Sequence, residues 1–233
     1  MRRGLDRVGW ASLVLGLVLL AAGARLGRAV ETALGETNDG AELVLFPRGE
    51  LIRPFTFGKP EVAADLVWLR AIQYYGQHRG TDRSYPYAET LFHSLTDLDP
   101  TFVNAYIFGA LVLHEQFGRL EPALALLDKG IEANPDSYWL PFERGFFLYV
   151  THWDRDGAVA WLTRAAEMEG APESFRRLAA FAAQQSGDQE VAIALWLEVY
   201  NGTDNPEIRD IAHDYLRELG HPEFQDEKAG GGL

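Results

Sequence analysis

Six histidines and two close pairs of aspartates are the side chains best placed to do chemistry in this 233-residue sequence, and their spacing argues against it. His114 precedes Glu115 at a helix end, His152 falls in the corresponding turn one helical pair later, and His213 and His221 stand eight apart with a helix end between them. None of these offers the one-face geometry that brings two imidazoles to one metal. Asp97 with Asp99, and Asp154 with Asp156, fall at helix ends or turns, where aspartate caps backbone N–H groups. There is no His-Glu-x-x-His, no Gly-x-Ser-x-Gly and no phosphate-binding glycine loop. Asn201-Gly202-Thr203 has the form of a glycosylation sequon but reads as a plain loop. The absence of cysteine removes thiol nucleophiles, disulfides, thiolate-bound zinc and anchoring through a modified Cys. The expectation is a protein with no catalytic residues, no metal and no cofactor, and not an enzyme.

The composition, 47% hydrophobic and 24% charged, is that of a folded chain rather than a disordered one. Its net charge of −13 is unevenly divided: residues 1–30 hold five Arg against Asp6, about +4, so the remainder carries about −17. An acidic body of that size repels phosphates, which disfavours nucleic acid as a partner.

Val8 to Ala24 runs seventeen residues without a charge, behind Arg2, Arg3 and Arg7. As a helix it would span about 26 Å, a little short of a hydrocarbon core of about 30 Å, and Arg7 and Arg25 could snorkel across the difference. Ala22-Gly23-Ala24 also has the small-x-small form of a signal-peptide cleavage site. The length of the run, with Arg25 and Arg28 directly behind it, favours an uncleaved transmembrane anchor. The positive-inside bias then places the N-terminus in the cytoplasm and the acidic body outside it. Residues 31–60 are a polar, turn-rich linker whose second half contains two short extended segments around a Pro-Arg-Gly turn. They could form a hairpin that packs on the body, although Pro54 and Pro60 argue against a long strand.

From residue 61 the periodicity turns helical and repeats. Ala88, Ala123, Ala158 and Ala192 are separated by 35, 35 and 34 residues, and each is followed at offsets of four and seven by Phe92 and Leu95, Leu127 and Gly130, Leu162 and Ala165, or Trp196 and Val199. Those offsets place all three side chains on one helical face, with the small residue where a neighbouring helix comes close. Pro100 and Pro135 stop the first two of these helices, and Gly170 takes that place in the third. A large apolar face precedes each: Trp68 to Tyr75, Tyr106 to Leu113, Trp139 to Leu148, Phe175 to Phe181. Ser137, Pro122, Pro172 and Asn205-Pro206-Glu207 mark helix starts. The predicted units are 61–100, 101–135, 136–170 and 171–204, a capping helix at 205–220 and a flexible tail at 221–233, all-α throughout.

This repeat length, the Gly187-Asp188 turn ahead of Glu190 and Ala192-Ile193, and the closing Leu98-Asp99-Pro100 resemble the tetratricopeptide repeat family. The resemblance implies a right-handed α-solenoid of about four helical hairpins that binds other proteins. It also implies that first-of-pair helices line an inner groove, for which the register gives Leu69, Gln73, Asn104, Ile107, Leu111, Trp139, Phe142, Phe146, Arg177, Phe181 and Gln184. The groove would be apolar and aromatic; Leu69, Phe108 and Glu143 stand where the family's carboxylate-clamp members need basic or amide groups. The same aromatic cluster could instead pack between repeats or be covered by residues 41–57.

The single membrane segment followed by a small repeat array is similar in architecture to bacterial inner-membrane assembly factors and accessory subunits. The leading expectation is a single-pass adaptor of the bacterial inner membrane. Its solenoid would lie in the periplasm and its partners would be protein subunits of a larger membrane complex, with the lipid bilayer contacted through residues 8–24. Two alternatives are a secreted soluble binding protein left after signal cleavage, and a noncatalytic docking subunit of an enzyme or electron-transfer complex.

Overall fold

The computed structural model describes residues 49–118, 120–151 and 154–225, together with Val18, Ala21 and Arg25. The expected anchor, apart from those isolated positions, and the first half of the expected hairpin lie outside the described residues. Among the described residues no helix is long and apolar enough to cross a membrane.

Nine α-helices of at least eleven residues follow one another among the described residues, with no strand. They are α1 (Pro60–Arg79), α2 (Ala88–Leu98), α3 (Val103–Phe117), α4 (Glu121–Ala133), α5 (Trp139–Thr151), α6 (Arg155–Glu167), α7 (Glu173–Ser186), α8 (Gln189–Gly202) and α9 (Pro206–Glu218). Each packs on the next, and α3 also reaches α5 while α2 reaches α4, so the helices stack as consecutive pairs. This is the packing of a helical solenoid.

Local chemistry sets the boundaries. Asp154, Asp188 and Asn205 accept hydrogen bonds from the backbone N–H groups of Gly157, Val191 and Glu207, each satisfying a donor left open at a helix start. Gly118 and Gly187 end α3 and α7 with φ of 62° and 87°, in the left-handed region that glycine adopts without a Cβ clash. Pro100 and Pro135 follow the ends of α2 and α4, and the Asn134 side chain donates to the Pro100 carbonyl at 2.8 Å, tying one inter-pair turn to the next.

Both helices of each pair contribute to the core, the second ones with a repeated pattern. Ala88, Ala123, Ala158 and Ala192 and the residues four and seven positions after each are all buried. At Gly130 the approach is close: a Cβ added there would lie 2.8 Å from the Tyr106 ring. Lys129 of α4 crosses to α2, donating to Asp97 at 2.5 Å and to the buried hydroxyl of Thr96 at 2.7 Å.

The two ends of the stack differ. α9 buries Ala212 and Leu216 and turns Arg209, Asp210, Asp214, Arg217 and Glu218 outward, as a polar cap does. α1 buries Ala64, Val67, Ala71 and Tyr74 against the stack, yet its opposite side is also apolar.

Two expectations are corrected. The stretch Leu51–Phe55, read from sequence as extended, completes a turn of α-helix at Gly49–Ile52 and forms a 3-10 turn at Arg53–Phe55. Pro54 suits the first turn of a helix, where its missing N–H costs nothing. The turn docks on α2, with Gly49 buried there. The first part of the expected flexible tail is ordered, because Pro222–Phe224 forms a 3-10 turn that buries Phe224 against Tyr200, His213 and His221, and residues 226–233 lie outside the described residues.

Candidate functional site

The first helices of the pairs meet through aromatic rings. Trp68 of α1 lies edge-on to Phe108 of α3 at 5.5 Å, His114 of α3 to Phe147 of α5 at 5.8 Å, and Phe181 of α7 to Tyr215 of α9 at 5.1 Å. Between α5 and α7 the rings of Phe142 and Phe175 stack face to face. Such contacts add to burial because ring edges are positive and faces negative. Much of the aromatic surface expected in a groove is therefore spent holding pairs together.

What remains open is a cleft of about 530 Å³ between α3 and α5, closed at one side by Trp68. α3 contributes Asn104, Ile107, Phe108, Leu111 and His114, and α5 contributes Glu143, Phe146, Phe147 and Val150. These positions recur at three- and four-residue steps, so each set is one helical face. The lining is largely apolar, and Leu111 (43% exposed) and Phe146 (38%) present large side chains to solvent.

Three polar groups interrupt it. Asn104 is exposed at the start of α3. His114 keeps Nδ1 buried without a hydrogen-bond partner among the described residues. Burial pushes the Glu143 carboxyl above its usual range. A largely apolar cleft with few polar groups is the ordinary composition of a recognition site. No cluster of three metal-ligating side chains occurs among the described residues.

Of the residues predicted for a groove, Asn104, Ile107, Leu111 and Phe146 are brought together in this cleft. Trp139 and Phe142 lie instead against Phe175. Phe181 packs on Trp196 and Tyr215, and the Gln184 side chain accepts from the Trp196 indole at 3.3 Å. Arg177 borders a separate depression of about 10 Å³ between α7 and α8, room for a single water. Leu69 and Gln73 are exposed on α1 and do not line the cleft. Sequence reasoning did not include Trp68, His114, Phe147 and Val150 among the groove residues. The steps 104, 107, 111, 114 and 143, 146, 147, 150 carried the signal for all but Trp68.

Across α6 and α8 runs a shallower groove of about 400 Å³ bordered by Asp156, Arg164, Glu167 and Asp188, charges of both signs that suit solvent. No protein-family model and no curated protein matches the chain.

Proposed function

We propose that this chain is a membrane-anchored adaptor of the tetratricopeptide type that binds a protein segment in the α3–α5 cleft and acts as an assembly factor or accessory subunit of a membrane complex. The observation that carries the reading is the cleft itself. It presents large apolar side chains on consecutive first-of-pair helices, with Leu111 and Phe146 left partly exposed. Exposed apolar surface of this kind marks an interaction site. An extended peptide or an amphipathic helix would bury its own apolar residues against Ile107, Leu111, Phe146 and Val150. The uncharged run from Val8 to Ala24, flanked by Arg7 and Arg25, supports anchorage in a bacterial inner membrane, and the charge bias supports a periplasmic body.

A photo-reactive phenylalanine analogue at position 146 or 111 tests the binding reading in the native membrane. Discrete cross-linked adducts are expected from both positions and none from position 210 on α9. The absence of adducts at both cleft positions would sink it. N-terminal sequencing of the mature protein tests the anchor separately, since a start near Arg25 eliminates it.

A further inference from the structure

α1 is apolar on two opposite sides, and among the described residues only one of them is packed. The side made by Ala64, Val67, Ala71 and Tyr74 is buried in the stack. On the other, Val62, Leu66 and Leu69 stand 54%, 62% and 58% exposed, followed on the same line by Gln73 and Gly76. Their spacing is four, three, four, three, the alternating step of a heptad seam, with Leu66 and Gln73 at a and Val62, Leu69 and Gly76 at d. A helix that is hydrophobic all round is normally covered on all sides. Whereas α9 exposes one large apolar side chain, Ile211, among charged residues, α1 exposes three along one line, which is not the surface of a polar cap.

The charges beside the seam specify what covers it. Asp65 occupies the g position before Leu66, and Arg70 the e position after Leu69. Arg70 Nη1 also donates to Gln73 Oε1, itself on the seam, at 3.5 Å. In a parallel pair of identical helices, g of one copy faces e of the other five residues on, so Asp65 meets Arg70 of the second copy, twice by symmetry. An antiparallel pair brings g to g and e to e, placing Asp65 near Ile72 and Arg70 near Ala63, with no ion pair. A single polar residue at an a position, here Gln73, fixes register in such pairs.

We infer that the chain forms a parallel homodimer through α1, its seam made by Val62, Leu66, Leu69 and Gln73 and its direction set by Asp65–Arg70 pairs between the copies. A parallel pair points both N-terminal segments the same way, as two chains tethered in one membrane require. The inference does not depend on that tether, because a chain processed near Arg25 would carry the same seam.

The chain has no cysteine, so single cysteines report the pairing directly. Val62→Cys and Gln73→Cys, each made in the full chain and extracted in mild detergent, are expected to form disulfide-linked dimers with themselves on gentle oxidation. That bond needs Cα atoms within about 7 Å. If neither cross-links, or if only a mixture of the two variants does, as antiparallel pairing dictates, the inference fails. A second measurement is the mass in solution. Leu66→Asp with Leu69→Asp is expected to halve it while circular dichroism stays helical, both side chains being exposed in one copy; an undiminished mass would overturn the seam. Asp65→Arg should raise the dissociation constant several-fold and Asp65→Arg with Arg70→Asp should restore it. Failure of that rescue would remove the assigned direction.

Discussion

The rings of Phe142 and Phe175 stack with centroids 3.7 Å apart and planes 15° from parallel, which makes this contact a joint between the third and fourth helical pairs. Phe175 is buried, and Trp139 lies edge-on to it at 5.3 Å from the same side as Phe142. Removing Phe175 leaves a cavity that three surrounding elements cannot all close. Phe175→Ala is therefore expected to cost about 3 kcal/mol in denaturant unfolding. A double-mutant cycle with Phe142→Ala should return a coupling of about 1 kcal/mol beyond the area lost. Near-zero coupling would mean that the two rings merely share a neighbourhood.

Glycine-to-alanine changes should separate by position with opposite signs. In an exposed helix interior the change gains up to about 1 kcal/mol, because glycine is freer in the unfolded chain. Gly76 has nothing within 4 Å of an added Cβ, so Gly76→Ala should stabilise by roughly that amount. At Gly109 the added carbon would lie 2.6 Å from Leu126 Cδ2 and 2.8 Å from the Phe92 ring, and at Gly130 it would meet Tyr106. Overpacking of this kind costs about 1–3 kcal/mol, so both of those variants should melt earlier than the parent. Thermal unfolding of the three variants side by side checks the ordering.

These positions show what was legible in the sequence and what was not. The small residue at Gly130, seven after Ala123, belongs to a periodic pattern, and periodicity gives which face of a helix is inward. It does not say whether a neighbouring helix or solvent lies across from that face. Phe142 and Phe146 are one turn apart on α5 and read alike, yet Phe142 stacks on Phe175 while Phe146 also borders the cleft. Gln184 reads as a groove amide and in fact satisfies the indole N–H of Trp196, a partner twelve residues away on the next helix. The 3-10 turns at Arg53–Phe55 and Pro222–Phe224 were not legible because three residues carry no period, and each is fixed by what it packs on.

Loss of a cap should be felt in proportion to the donors it leaves open. Asp188 Oδ1 accepts from Val191 N at 3.1 Å directly after the left-handed Gly187, and Asp154 Oδ1 accepts from Gly157 N at 2.9 Å. Asp188→Ala and Asp154→Ala should each lower stability by about 1 kcal/mol, and Asp→Asn, which keeps an acceptor, by much less. Urea midpoints of the four variants decide between a cap and a simple surface charge, since a charge effect would be lost equally in the asparagine forms.

Glu143 ties the cleft to pH. Burial among apolar side chains raises its carboxyl above the ordinary 4.5, so the folded chain holds that proton more tightly than the unfolded chain does. Between the two values the unfolded state has released a proton that the folded state retains, and stability falls as pH rises through that window. Below the ordinary value both states are protonated and the penalty is absent; above the raised value the full cost of a buried carboxylate is present. Glu143→Gln keeps the shape and removes the charge. It should therefore be more stable than the parent at neutral pH, with the advantage shrinking as pH falls and vanishing below the ordinary glutamate range. Urea unfolding of the two proteins across that pH range measures the difference. A constant offset at all pH values would show that the amide packs better, and that burial of the charge contributes nothing.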